Sequence, residues 1–363
     1  MKEKIDVLRK IMEEKKQDAL LLTDGYNIHY ISGYAGHEGC MLVTGGATYI
    51  LTDSRYTEMV TIQAPDYTCI DIASKGYAKT VRELLEGLCN SSKRRLSVGF
   101  ENLHISYNMY DKYYRELADM AELNGLDDAI NNLRRVKTAD EMERLAKAEA
   151  IGDKAFLHML TFIEEGMTEK EVALELEYTM KSLGASGLSF DTIVASGKNS
   201  SLPHAVPTDK VITRGDFVTM DFGCIYEGYC SDMTRTVIMG EEPEGEKLEV
   251  YNTVLLAQTE ALKAVKAGMK CSDVDAVARN IIGDAGYGDY FGHGLGHGVG
   301  LYIHEEPRFS PKCDYILEPG VCITVEPGIY LPGKFGVRIE DMIIVTEDGY
   351  KNLATSTKAL VIL

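Results

Sequence analysis

The run Phe291-Gly292-His293-Gly294-Leu295-Gly296-His297-Gly298-Val299-Gly300-Leu301, followed by His304-Glu305, holds three of the chain's eight histidines within twelve residues, separated mostly by glycine. Glycine lets backbone approach closely or take unusual angles, so the segment suits a crowded site rather than a regular element. Imidazole is the commonest neutral metal ligand and titrates near neutral pH. The segment therefore predicts that one histidine binds a metal while the others handle a substrate.

Four carboxylates are placed in equally unusual company. Asp221 interrupts Phe217-Val218-Thr219-Met220-Asp221-Phe222-Gly223, and Asp232 lies in Cys230-Ser231-Asp232-Met233-Thr234-Arg235-Thr236-Val237. Every second side chain of a strand shares a face, so a hairpin turning at Tyr226-Glu227-Gly228-Tyr229 brings Asp221 and Asp232 to one side. Glu326, in Val321-Cys322-Ile323-Thr324-Val325-Glu326-Pro327-Gly328, and Glu340, in Val337-Arg338-Ile339-Glu340-Asp341-Met342-Ile343-Ile344-Val345, are expected on a second hairpin. An unpaired buried carboxylate is costly, so four of them need a shared compensating charge. A pair of divalent cations about 3.5–4 Å apart supplies it, activates a water and polarises a carbonyl or phosphoryl oxygen. An oxygen-rich set with one imidazole favours Mn²⁺, Co²⁺ or Zn²⁺ over a thiolate-bound metal.

The elements that must position these groups follow from pattern and length. A chain of 363 residues exceeds the usual single-core size, so two domains are expected, divided as 1–128 and 129–363. The first reads as α/β: a charged helix over 2–16, a strand at Ala19-Leu20-Leu21-Leu22 ended by Asp24-Gly25, a hairpin turning at Gly45-Gly46, and a helix through Arg82-Glu83-Leu84-Leu85. His29, His37 and His104 lack carboxylates at ligand spacing and read as ordinary histidines, and Tyr26, Tyr30, Tyr34 and Tyr56 as packing residues. Thr138 and Glu141 form a capping box that opens a helix to about 163, on which His158 has no evident partner. A second helix follows from Thr168 to about 183, and two more over 246–266 and 272–285, the last capped by Ser272 and closed by Gly286.

Composition narrows the function. A formal net charge of −18 argues against nucleic acid or an anionic membrane surface as partner. The N-terminus lacks the apolar run of a signal peptide, and no apolar stretch approaches the roughly 18–20 residues of a membrane span, so a cytoplasmic protein is expected. Eight dispersed cysteines without a Cys-x-x-Cys pair read as free thiols and not as a zinc site.

The order Asp221, Asp232, His297, Glu326, Glu340 resembles the metal signature of the proline-specific metallopeptidases of the pita-bread fold, such as aminopeptidase P and prolidase, with methionine aminopeptidase more distant. The resemblance runs over roughly 135–363, through Pro203-His204, Met220-Asp221-Phe222-Gly223, Ser231-Asp232-Met233-Thr234-Arg235-Thr236, the glycine–histidine run, Val325-Glu326-Pro327-Gly328 and Arg338-Ile339-Glu340-Asp341. Residues 1–125 resemble the creatinase-type N-terminal domain. The resemblance implies an α/β creatinase-like domain followed by an α+β pita-bread catalytic domain, and a homodimer. It implies two divalent ions, manganese first and cobalt or zinc as alternatives. Asp221 and Glu340 would bridge both, with Asp232 on one and His297 and Glu326 on the other. Glu326 would shuttle a proton, His204 and His304 would act on the scissile carbonyl, and His293 would shape a pocket for the proline ring. Arg338, one strand period from Glu340, would meet a substrate carboxylate or pair with a nearby acid.

The activity implied is removal of the residue preceding proline. That bond is a tertiary amide with no N–H, which justifies a dedicated site. Asp53-Ser54-Arg55-Tyr56 resembles a motif of short aminopeptidase P-like proteins, so an Xaa-Pro aminopeptidase is expected, with an Xaa-Pro dipeptidase as the alternative. Creatinase and a non-catalytic peptide-binding relative are disfavoured by the five ligands. A dinucleotide enzyme is disfavoured because Gly294-Leu295-Gly296-His297-Gly298-Val299 fails the G-x-G-x-x-G spacing.

Overall fold

The computed structural model of the chain describes residues 2–36, 38–73 and 75–363, so His37 lies outside the described residues. The chain divides into two compact units, Met1–Arg134 and Arg135–Leu363.

In the first unit, alternation of apolar side chains along short strands builds a sheet covered on both faces. Leu20, Leu22, Met41, Val43 and Ile50 face one core cluster, and Ala19, Leu21, Cys40, Leu42 and Leu51 face the other. The six strands lie in the order Thr68–Asp71, Thr48–Thr52, Cys40–Thr44, Ala19–Leu22, Leu96–Phe100 and Ala121–Gly125. The helix Lys2–Glu14 packs Ile5, Leu8, Ile11 and Met12 on the first face, and Tyr77–Ser92 packs Val81 and Leu85 on the second. Asp24 does more than end a strand. Its carboxylate accepts from Tyr26 N at 2.9 Å and caps the helix Gly25–Ser32, which the apolar pattern does not announce. His104 is exposed and His29 half-buried in this unit.

The second unit repeats one plan twice. In its first half the helices Ala139–Phe162 and Glu169–Ser182 back the strands Ile193–Ser196, Phe217–Phe222 and Met233–Ile238. In its second half Glu246–Ala264 and Cys271–Asp284 back a five-stranded sheet in the order Glu305–Phe309, Gly296–Gly298, Cys322–Val325, Asp341–Val345, Tyr350–Asn352. Thr138 and Thr168 both form capping boxes, with Glu141 and Glu171. Ser272 is not a cap: Lys270 holds that position, and the first amides, Cys271 N and Ser272 N, donate instead to Tyr315 O and Cys313 O. His158 does have a partner, Glu175 Oε1 at 2.7 Å on the neighbouring helix, and its ring stacks on Phe162. All eight cysteines are free, and among the described residues no helix is long and apolar enough to cross a membrane.

Two departures from the expected strands matter for the site. Part of the glycine–histidine run is a strand after all, Gly296–Gly298, held between two neighbours. A Cβ on Gly296 would stand 2.0 Å from Thr324 O, so the neighbouring strands close on this one only because it lacks side chains at alternate positions. The second carboxylate hairpin is also two hairpins. Cys322–Val325 pairs with Asp341–Val345, and Gly328–Leu331 with Phe335–Arg338. Pro327 has no N–H for a ladder, and the chain breaks beside it. Glu326 N turns to Leu295 O at 2.8 Å and Glu340 N to Thr234 O at 3.1 Å, which ties both glutamates to other segments.

Asp341, next to Glu340, is wholly buried. It accepts from Arg235 at 2.8 Å, Gln258 at 3.0 Å, Asn352 at 2.9 Å and Lys358 at 2.6 Å. Burial opposes its ionisation, but Arg235 and Lys358 hold it below the ordinary carboxylate range. Asp341→Ala is therefore expected to destabilise the protein by about 3–5 kcal/mol in a denaturant titration, because it strands Arg235 and Lys358. A depressed folded pKa stabilises above the unfolded value of about 3.9, so the difference from the parent should shrink as pH falls through and below that value.

Candidate functional site

Asp221 enters from the central strand Phe217–Phe222, opposite Thr234 of Met233–Ile238. Asp232 lies just before that second strand, on the same face as Thr234. Glu326 and Glu340 come from the breaks between the paired hairpins, and His297 from the middle of the glycine-flanked strand. All five line one cavity of about 630 Å³, together with His204, His293, His304 and Arg338. Ligand atoms of Asp232, His297 and Glu340 lie within 4.8 Å of one another.

The electrostatics of this cluster are unfavourable as a purely protein arrangement. Burial first, then the neighbouring carboxylates, push Asp232 and Glu340 well above the ordinary range. Burial and Asp221 push Glu326 up to about 7 against the pull of Arg338. Few donors answer them: Thr234 Oγ1 donates to Glu340 at 2.6 Å, Thr324 Oγ1 to Glu326 at 3.1 Å, and Arg338 to Asp221 Oδ2. Asp221 Oδ1 is buried with no hydrogen-bond partner among the described residues.

His297 sharpens the argument. Its Nδ1 donates to Gly298 O at 3.1 Å, so in the neutral ring the lone pair resides on Nε2. Burial, and then His304, lower its pKa to about 3, so the ring is neutral. That lone pair stands 3.4 Å from Asp232 Oδ2 and 3.4 Å from Glu326 Oε1. A lone pair facing two carboxylate oxygens is repulsive unless a cation sits between them, and a carbonyl on the other ring nitrogen is the usual orienting device of a metal-bound histidine. The donor set fits divalent metal: hard carboxylate oxygens, one oriented imidazole, and an orphaned buried oxygen.

The other histidines differ. His293 Nδ1 donates to Gly294 O at 2.8 Å, its Nε2 accepts from Tyr330 OH at 3.0 Å, and Arg338 donates to the same phenol at 2.8 Å. With both nitrogens engaged and its pKa lowered to about 4 by burial and by Arg338, His293 is a fixed neutral wall. His304 lines the same cavity, its ring 4.6 Å from that of His297; the residue keeps solvent contact, but partial desolvation of the ring, and then Arg308, lower its pKa. Arg338 is spent inside the protein on Asp221, Thr234 Oγ1 (3.0 Å), Tyr330 OH and Pro203 O (3.2 Å).

Several contributors escaped the sequence reading. Asp275 and Arg279 form an i,i+4 pair on the helix Cys271–Asp284 and lace the histidine segment, Arg279 donating to Phe291 O and His293 O and Asp275 accepting from Leu295 N. Their spacing was visible; their target was not. Arg308 is the second arginine on the cavity wall, 41% exposed, with only a 3.6 Å approach to Glu306. Behind Asp232, fully buried Glu149 accepts from its backbone N–H at 3.4 Å.

A carboxylate cage around one oriented imidazole, at the seam between two halves of an α+β unit, defines a divalent-metal hydrolase. Residues 143–347 match the model of metallopeptidase family M24, and residues 4–136 that of the creatinase/prolidase N-terminal domain. The chain is 41% identical over 362 residues to an Xaa-Pro dipeptidase of Pyrococcus furiosus, covering 99% of this chain and 100% of that one. Among solved structures it is similar to an Xaa-Pro dipeptidase from Bacillus anthracis (42% identity, 99% of each chain, TM-score 0.93). It is also similar to an X-Pro aminopeptidase from Thermotoga maritima (38% identity, 98% and 100% coverage, TM-score 0.87). The chain belongs to metallopeptidase family M24, with the creatinase-type N-terminal domain and pita-bread catalytic domain that the motifs imply. It is a metallopeptidase, and the peptidases of this family work through a dinuclear divalent metal centre.

Removing one acid should relieve the cluster. Asp232→Asn is expected to raise the melting temperature of chelator-treated protein, by about 2–4 °C for each kcal/mol of repulsion removed. It should also abolish most of the stabilisation that added Mn²⁺ gives the parent, as read by scanning fluorimetry. An unchanged Mn²⁺ response would remove Asp232 from the ligand set.

Proposed function

We infer that this protein is an Xaa-Pro dipeptidase, a reading the observations favour over an Xaa-Pro aminopeptidase acting on longer peptides. The observation that carries it is Arg308. Of the two arginines on the cavity wall, Arg338 is consumed by protein partners, whereas Arg308 is 41% exposed and has only the 3.6 Å approach of Glu306 to its Nε. A free C-terminal carboxylate is the group that matches such a cation, and only a dipeptide places one directly after the proline. The similar dipeptidases of Pyrococcus furiosus and Bacillus anthracis support the same choice. The aminopeptidase reading keeps the support of Asp53-Ser54-Arg55-Tyr56, where Arg55 is exposed and makes a bidentate pair with Asp53, and of the Thermotoga maritima relative.

Asp221, Asp232, His297, Glu326 and Glu340 would hold the two ions, Asp221 and Glu340 being shared ligands on the family resemblance. We take manganese as the first candidate, and cobalt or zinc as alternatives, from the oxygen-rich donor set. When bound, the ions supply a water activated for attack and polarise the scissile carbonyl. The chain's residues do the rest. Glu326, steadied by Thr324 Oγ1, takes the proton released in attack and returns it to the departing proline nitrogen. His204 and His304, on the cavity wall, donate to the carbonyl oxygen as negative charge develops there. His293, locked by Tyr330, gives the proline ring a rigid neutral face. Arg308 orients the substrate's carboxylate. The eight free thiols support a reducing, cytoplasmic setting, and a homodimer is part of the reading on family resemblance.

The test is hydrolysis with added Mn²⁺ of Xaa-Pro against Xaa-Pro-Yaa-Zaa. Cleavage confined to, or strongly favouring, the dipeptide is expected, and equal or better cleavage of the tetrapeptide would establish the aminopeptidase instead. Arg308→Met is expected to raise KM for the dipeptide roughly 10- to 100-fold, the worth of a charge-assisted hydrogen bond. It should have little effect on the dipeptide amide, which lacks the carboxylate.

A further inference from the structure

Glu169 opens the helix Glu169–Ser182 and has no exposed surface. Its carboxylate spans both ends of segment 196–208. One oxygen accepts from Ser196 N at 2.7 Å and Ser196 Oγ at 2.9 Å, and the other from Thr208 N at 3.0 Å and Thr208 Oγ1 at 2.6 Å. Asn199 Nδ2, inside the segment, reaches both oxygens at 3.2 Å. A buried carboxylate is tolerated when hydrogen bonds replace its hydration, and bonds to an ionised acceptor are about twice as strong as neutral ones.

The segment it closes carries Pro203, His204, Ala205 and Val206 along the cavity wall. Packing holds the middle of this segment only in part: Ser200, Ser201 and Ala205 are buried, but Leu202 is 58% and Val206 77% exposed. Its regular structure is one short turn, Gly197–Ser201. Two further ties come from the second half of the unit, Gly336 N to Ser200 Oγ at 2.8 Å and Arg338 to Pro203 O. Neither fixes the ends, where Glu169 acts alongside Lys210 Nζ on Ser196 Oγ at 2.9 Å and Lys170 N on Thr208 O at 3.2 Å.

We propose that Glu169 is the positioning residue of His204: by clamping Ser196 and Thr208 with one carboxylate, it fixes the loop that sets where the imidazole meets the substrate. This rests on the assignment of His204 to the substrate carbonyl. The charge is required as well as the shape. A glutamine can accept at one end only, and its amide N–H₂ would oppose a backbone N–H at the other, releasing that end of the loop.

Glu169→Gln is expected to lower kcat on an Xaa-Pro dipeptide roughly 10- to 100-fold, the scale of a displacement of about 1 Å, with KM and bound metal little changed. In a His204→Ala background the same substitution should have almost no further effect, because the two act as one unit. Thr208→Ala, which removes one donor and keeps the carboxylate, should give a smaller loss with the same dependence on His204. Equal losses in both backgrounds, or no loss in the parent, would overturn the proposal. Amide exchange gives a readout independent of substrate: residues 197–208 should exchange faster in Glu169→Gln while Phe217–Phe222 keeps its protection, and unchanged exchange would overturn the proposal even if activity fell. If the parent cleaves no Xaa-Pro bond but exchange rises, the substrate reading fails and the clamp stands.

Discussion

Like charge crowded into a place that water reaches poorly is the constraint on which the catalytic unit turns. Asp232 and Glu340 are almost wholly buried, Asp221 and Glu326 nearly so, and all face one cavity. Nothing in apolar packing favours this, and the hydroxyls of Thr234 and Thr324 answer only part of it. The arrangement persists because the surrounding backbone is over-determined. Arg235 hydrogen-bonds Glu340 O, Thr234 O and the buried carboxylate of Asp341, so the peptide carrying Glu340 has little freedom to withdraw its side chain from its neighbours. A divalent cation held by these residues would relieve that repulsion, and the relief would appear as affinity.

The doubled plan of the unit explains where that repulsion arises. Each half packs two helices against an antiparallel sheet, and the two cores interlock through Phe217 and Ile238 of the first half and Ala354 of the second. The aspartates belong to the first half, and the histidine and glutamates to the second. Two backbone hydrogen bonds position the second set: Glu340 N reaches across the seam to Thr234 O, and Glu326 N reaches Leu295 O beside the histidine strand. Ions held by these side chains would join the halves, so metal affinity and the stability of the seam would then be linked.

How much was legible follows from the range of the interactions involved. The four candidate carboxylates were readable because acids inside apolar runs are costly enough to need a reason, and His297 because glycines crowd it with two other histidines. The capping boxes at Thr138 and Thr168 were readable because their chemistry is complete within four residues. The hairpin of Glu326 and Glu340 was misread as one, since the pattern runs through Pro327 while the ladder does not. The edge strand Thr68–Asp71, exposed at both ends, has no strong alternation to find. Tyr330, Glu169 and the partner of His158 were invisible for a different reason: each is defined by contacts across 17 to 39 residues of sequence, which periodicity does not encode.

The two arginines show where pattern ends and burial decides. Strand period placed Arg338 on the face of Glu340, and it is there, with Thr234 bonded to both. Yet a guanidinium that is 4% exposed cannot wait for a substrate, because its donors must be satisfied in the folded chain, and they are. A substrate carboxylate needs a cation that water can solvate in the free enzyme and that the carboxylate can reach by displacing that water. Arg308, on the strand beside His297, meets that condition. On the dipeptidase reading, a peptide ending at proline would offer its carboxylate to Arg308, whereas a longer one would offer a neutral amide in its place. Discrimination by length would then rest on this one guanidinium, carried by a strand whose Arg308 pairs in register with His297.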